Sequence, residues 1–135
     1  MNAATSTFDI RVYYEDTDFS GVVYHASYLR FLERGRTEFL RERGVHQQAI
    51  AEGSAGAPFA FAVRRMEIDF LKPARMDDML TVETALAKAG GASVEMEQRI
   101  RRGGDVLLTA HVTVACVASG RAVRIPAWVR ETLGL

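Results

Sequence analysis

The residues of this chain that can do chemistry crowd into one stretch, Tyr13 to Arg36, YYEDTDFSGVVYHASYLRFLERGR. Asp16 and Asp18 stand in a polar, turn-prone segment ending at Gly21, and His25 follows just ahead of a run with helical periodicity. A carboxylate in such a loop can attack a carbonyl carbon or take a proton from water. The start of a helix offers backbone N–H groups without intrahelical partners, together with the positive end of the macrodipole. Aimed at a carbonyl, those groups stabilise the oxyanion that develops on it. The same residues also have ordinary uses. Asp16 and Asp18 suit turns and caps, Ser27 suits a helix start, and His25 suits packing or hydrogen bonding. Residue types alone leave both readings open.

Other chemistries lack their residues. The chain contains no G-x-S-x-G, no G-x-x-x-x-G-K-[ST] and no G-x-G-x-x-G. His25, His46 and His111 stand far apart, without the H-E-x-x-H spacing of a metal pair, so no metal site is expected. A single cysteine, Cys116, forms neither an internal disulfide nor a cysteine-rich zinc site. It shares the phase of Val112 and Val114 and reads as an inert core thiol, whereas His111 has the opposite parity and reads as a strand-surface histidine.

The elements that must position the loop are legible as changes of period. Phe8 to Tyr14 alternates and is rich in strand formers. From about Ala26 to Arg43 the period becomes helical: Tyr28, Phe31, Leu32, Gly35 and Phe39 form an apolar stripe, with Arg30, Glu33, Arg34, Glu38 and Arg41 opposite. Gly44 suits the C-terminal cap. Gly35 weakens the helix by about 1 kcal/mol relative to alanine, but admits close approach of another backbone. Residues 45–58 hold a short helical turn and a loop. From Phe59 to about Val123 the chain reads as strand. A parity shift between Phe61, Val63 and Met66, Ile68 predicts a bulge near Arg64 and Arg65. Pro73 ends that strand, and Asp77 and Asp78 lie in the turn after it. Gly90-Gly91 joins Met79–Ala89 to a strand from Ala92 to Arg102, and Gly103-Gly104 leads into Val106 to Val117. Ser119-Gly120 ends the last long strand, and Pro126 to Leu133 forms a short terminal helix. One long helix with about five antiparallel strands is an α+β fold.

Composition sets the outer limits. A chain of 135 residues suits one domain spanning 1–135, and on folding buries about two-thirds of its extended surface. Seventeen Lys and Arg balance seventeen Asp and Glu, so the chain has no global basic field for nucleic acid. No apolar run approaches the roughly 20 residues of a membrane span, and Met1 to Thr7 lacks a signal pattern. A soluble, cytoplasmic protein is the expectation.

Two blocks carry a resemblance. Arg11 to Arg41, RVYYEDTDFSGVVYHASYLRFLERGRTEFLR, and residues 61–80, FAVRRMEIDFLKPARMDDML, resemble the signatures of the YbgC-type acyl-CoA thioesterases. That group has the hotdog fold, is associated with the Tol–Pal system, and lies within the wider 4-hydroxybenzoyl-CoA thioesterase family. The resemblance implies hydrolysis of an acyl-CoA to free acid and coenzyme A, without metal or redox cofactor. It matches the catalytic carboxylate to Asp18, as nucleophile or general base, and the oxyanion donor to the His25 backbone N–H. The His25 side chain becomes a candidate for polarising the carbonyl or organising Asp18 and water. Tyr14, at the end of the first strand, becomes a lining or orienting residue. Phe19 departs from the smaller residue common at that position and can narrow or redirect the acyl pocket. Arg64, Arg65, Lys88, Arg101 and Arg102 are candidate contacts for coenzyme A phosphates, although a solvated strand face is the ordinary place for each and none is singled out. A homodimer with the site at its interface is implied, pairing again into a tetramer. Two rivals remain: a hotdog hydratase or dehydratase, and a non-catalytic protein that binds an acyl thioester or acyl carrier protein.

Overall fold

Alternating burial makes Thr5–Arg11 a strand, β1, with Ser6 and Ile10 turned inward. The computed structural model describes residues 5–54 and 56–135. The first strand was expected over Phe8 to Tyr14, and it starts and ends earlier. Val12 still exchanges backbone bonds with Asp77 and Asp78, but Tyr14–Asp16 then coils into a single 3-10 turn. The turn wins because Asp16 Oδ2 accepts the Tyr13 N–H at 2.8 Å, closing a local ring that a strand could not form.

The long helix, α1, is His25–Glu42, and its buried residues are Ser27, Tyr28, Phe31, Leu32, Gly35, Arg36, Phe39 and Leu40. It ends where expected: Gly44 adopts φ 84°, and the Val45 N–H turns back to the Leu40 carbonyl at 2.9 Å. A short helix, α2, follows at Gln47–Ala51. Then come β2 (Ala60–Phe70), β3 (Met79–Ala89), β4 (Ser93–Arg102) and β5 (Asp105–Ala118). A two-residue strand that periodicity did not show, β6 (Arg121–Ala122), folds back on β5 after Ser119 and Gly120, both at positive φ. The last helix, α3, is Ala127–Leu133.

The strands form one antiparallel sheet in the order β1-β3-β4-β5-β2, with β6 beside β5. The register of β2 against β5 slips between Val63 and Arg65, so the expected bulge falls at Arg64. This curled sheet wrapped on one long helix is the hotdog arrangement. Gly35 sits where helix and sheet come closest, against the side chains of Val82, Thr84 and Gln98 rather than against another backbone as expected. Gln98 is buried beneath the helix, donating to the Leu32 carbonyl at 3.0 Å and to Thr84 Oγ1 at 2.9 Å, and accepting from Arg36 at 3.0 Å. Those bonds satisfy a polar group that would otherwise be costly inside the core. Cys116 is fully buried, as its phase predicts, and burial pushes its thiol pKa up. His111 lies on the outer face of the sheet between Glu95 and Glu97.

Candidate active site

The two acids of the loop have different duties. Asp16 caps the 3-10 turn through its side chain, and its carbonyl accepts the Tyr24 N–H at 2.9 Å. Asp18 is half-buried, and its backbone is fixed by the Asp18 N–H to Val22 carbonyl bond at 2.9 Å and by Gly21 N–H to the Asp18 carbonyl at 3.0 Å. Gly21 takes φ 85° to close that turn. The loop is tied to the segment before β3 by a Val22–Arg75 bridge and by the Val23 N–H on the Ala74 carbonyl. The Ser20 side-chain hydroxyl lowers the Asp18 pKa, burial opposes it, and backbone bonds and nearby His25 add to the lowering. The carboxylate is therefore held ionised at neutral pH.

Directly after this loop, α1 begins without a side-chain cap at Tyr24. The Ser27 N–H already bonds the Tyr24 carbonyl, but no carbonyl accepts from the N–H groups of His25 or Ala26 among the described residues. Those two donors and the dipole behind them are open to an incoming oxyanion. The His25 ring is exposed and packs on Phe70, with centroids 4.8 Å apart. Tyr28 touches the same Phe70 at 5.7 Å, and its hydroxyl accepts the Ala74 N–H at 2.9 Å. Burial drives the Tyr28 pKa up, so the phenol stays protonated. Around His25, Tyr28, Phe70, Lys72 and Pro73 lies a cleft of about 220 Å³.

A second cavity of about 490 Å³ runs between α1 and the bulged half of β2, lined by Leu29, Arg36, Leu40, Phe61, Met66 and Met96 among others. Its one deeply buried charge is Arg36, whose pKa burial pulls down and Glu33 props up. The outer edge of β2 pairs with no other strand among the described residues.

Asp18 and His25 are thus brought together, but other predicted residues are not. Tyr14 lies in the 3-10 turn rather than at a strand end, is 81% exposed, and lines neither cavity. Phe19 points fully into solvent, because the turn closed at Gly21 throws it outward. Arg65 pairs with Glu67, Arg101 with Glu83, and Arg102 with Asp78 at 2.7 Å. Arg64 and Lys88 are exposed and have no carboxylate within 4.0 Å among the described residues. Sequence reasoning missed Phe70, Lys72 and Tyr28, which reach the site from β2, the segment after it, and the buried stripe of α1. Only the LKP run following a strand hinted that a chain segment turned there.

Residues 12–133 match the Thioesterase-like superfamily. The chain belongs to that family. It is 47% identical over 115 residues to an acyl-CoA thioesterase YbgC of Haemophilus influenzae, covering 85% of this chain and 82% of the relative. It is 46% identical over 118 residues to an acyl-CoA thioester hydrolase YbgC of Escherichia coli, covering 87% and 85% respectively. A crystal structure of a probable thioesterase from Bartonella henselae superposes with a TM-score of 0.87 at 47% identity, covering 90% of this chain and 99% of that one. The family read from the two sequence blocks and the hotdog fold both hold. No described helix is long and apolar enough to cross a membrane.

Proposed function

We propose that this chain is an acyl-CoA thioesterase in which Asp18 acts on the thioester carbonyl and the open N–H of His25 receives the oxyanion. The observation that carries this reading is the ionised Asp18 carboxylate in the loop that leads into an uncapped helix start. The acyl-CoA assignment draws on the names of the relatives at 46–47% identity. Two routes use the same geometry. As base, Asp18 takes a proton from water, the hydroxide adds to the carbonyl carbon, and the tetrahedral oxyanion collapses with cleavage of the C–S bond. As nucleophile, a carboxylate oxygen adds to the carbon, coenzyme A leaves as thiolate, and water then hydrolyses the mixed anhydride. In both, the thiolate takes up a proton and the acid is released. Hydrolysis conserves oxidation state, so the reaction calls on no redox cofactor.

In this reading the His25 ring, which packs on Phe70, orients water or the carbonyl. Tyr14 serves in the same reading as a wall residue toward a second protomer. The edge of β2 that pairs with no strand among the described residues, the apolar cavity beside it and the exposed Tyr13, Tyr14, Phe19 and Tyr24 favour a homodimer that completes the site, with pairing into a tetramer as the next step. Arg64 and Lys88, which have no carboxylate partner among the described residues, are better candidates for coenzyme A phosphates than Arg65, Arg101 or Arg102, each paired with a carboxylate. A cytoplasmic location, an acyl carrier protein as alternative carrier, and a link to the Tol–Pal system belong to the same family-based proposal.

Thiol release from short, long and aromatic acyl-CoAs tests the reading. Wild type should release thiol, and folded Asp18→Asn should lose at least about 10²–10³ in kcat, the scale of one oxyanion donor. Activity surviving in Asp18→Asn refutes the role of Asp18. Tight binding without release favours the binding-protein rival, and hydration of enoyl thioesters favours the hydratase. In a single turnover in heavy-oxygen water, label entering the Asp18 carboxylate marks the nucleophilic route.

A further inference from the structure

The loop treats the two oxygens of Asp18 differently. Oδ1 accepts the Ser20 N–H at 2.9 Å and the Ser20 hydroxyl at 2.6 Å. No protein group donates to Oδ2 among the described residues. We propose that Ser20 is a positioning residue that clamps Asp18 through Oδ1 and presents Oδ2 as the oxygen that reacts. This rests on the reading of Asp18 as nucleophile or base.

The physical case begins with the side chain itself. The terminal torsion of aspartate is broad, so an unrestrained carboxylate in an open loop samples many directions. Two donors on one oxygen remove that freedom, and they occupy the lone pairs of Oδ1 while those of Oδ2 stay available. The backbone donor alone would complete a turn of the kind aspartate commonly makes with its own chain. The hydroxyl is therefore additional to the turn. It is the shorter of the two bonds, of the strong charge-assisted kind. It can also be removed without touching the backbone: Ser20→Ala keeps the N–H bond and deletes only the hydroxyl. Among the described residues, His25 is the titratable group that acts on this carboxylate through space.

The test measures kcat and kcat/KM against pH for wild type, Ser20→Ala, Ser20→Thr and Asp18→Asn, using an acyl-CoA that wild type hydrolyses. The titration of the Asp18 carboxyl carbon is followed in parallel by NMR, its resonance identified by its absence in Asp18→Asn. Ser20→Ala should lose about tenfold to a hundredfold in kcat, the scale of a misplaced reacting group, with KM little changed. Without the hydroxyl the carboxylate protonates more readily, so the loss should deepen as pH falls below about 5 toward the ordinary carboxylate range. Ser20→Thr, which keeps a hydroxyl, should restore both kcat and the pH profile. In the NMR titration, Asp18 should move upward in Ser20→Ala and stay in place in Ser20→Thr. An unmoved Asp18 titration overturns the proposal whatever the activity shows. So does a Ser20→Ala loss that is uniform across pH, since that marks a loop effect. If Asp18→Asn is inactive while Ser20→Ala matches wild type, Ser20 alone is refuted. If Asp18→Asn stays active, the Asp18 reading and the Ser20 proposal fall together.

Discussion

Replacing Gly35 by alanine should destabilise this protein, although alanine is the better helix former. The added Cβ would sit 2.5 Å from Val82 Cγ1, 3.1 Å from Thr84 Oγ1 and 3.2 Å from Gln98 Nε2. Carbons in contact prefer about 3.5–4.0 Å, so the first of these distances is short by about an ångström. Val82 has no exposed surface, and its branched side chain has few rotamers to escape into. The helix must therefore lift from the sheet, or Gln98 must surrender bonds to Leu32 and Thr84. Overpacking costs about 1–3 kcal/mol. A buried amide left short of partners adds about 1–3 kcal/mol. Against this stands a helix-propensity gain of about 1 kcal/mol. A net loss of about 3 kcal/mol is expected. With an unfolding entropy of about 2.1 cal/mol/K per residue, a chain of 135 residues loses about 11 °C in Tm for that amount. Urea and thermal unfolding should be compared at equal protein concentration, since self-association makes the midpoint concentration-dependent. The urea midpoint should fall with the slope unchanged. Combined with Val82→Ala, the two losses should sum to less than their separate values, because the second change empties the space the first one needs. A midpoint for Gly35→Ala at or above wild type, or strict additivity with Val82→Ala, refutes the close-packing argument.

Three further outcomes are expected. Asp18 is held below its ordinary carboxylate pKa first by the Ser20 hydroxyl, so kcat/KM should stay level as pH falls from about 7 to about 5, with no Asp18 limb in that window. A pH–rate profile showing a carboxylate limb there, lost in Asp18→Asn, contradicts this. Bonds to Glu97 and then Glu95 raise the His111 pKa above its unfolded value, so the pair's stabilisation is fully present below about pH 6.5 and fades as pH rises through the folded value. Urea midpoints of His111→Gln should therefore fall short of wild type at about pH 5.5 by more than at about pH 8.5; an equal deficit at both refutes it. Tyr28→Phe strands the buried Ala74 N–H and should cost about 1–3 kcal/mol in chemical unfolding. It should also lower kcat by loosening the Pro73–Ala74 wall beside His25.

Much of the fold was written in periodicity. The stripe Tyr28, Phe31, Leu32, Gly35, Phe39 and the cap at Gly44 mark a helix because 3.6-residue spacing puts those side chains on one face, and the structure buries that face. Glycine pairs at 90–91 and 103–104 marked the hairpins, and the parity change between Val63 and Met66 marked the bulge at Arg64. Element ends were harder to read. Thr5 to Thr7 joined β1 through pairing with β3, a partner more than seventy residues away, while Tyr13 and Tyr14 left the strand because Asp16 captured the Tyr13 N–H.

The sequence by itself determined the family, the order of elements and the stretch holding the chemistry, because those depend on residue types and spacings along the chain. Residue types left Asp16 and Asp18 equally able to cap or to react, and the resemblance singled out Asp18. The tertiary structure gives the two different bonds: Asp16 accepts the Tyr13 N–H and closes the turn, whereas Asp18 accepts from Ser20 at one oxygen and, among the described residues, from no protein group at the other. The tertiary structure likewise decided that Phe70, from the end of β2, packs on His25, and that Gln98 and Arg36 meet beneath the helix. These pairings span tens of residues in sequence. They are fixed by how the sheet curls over α1, and local pattern holds no record of that geometry.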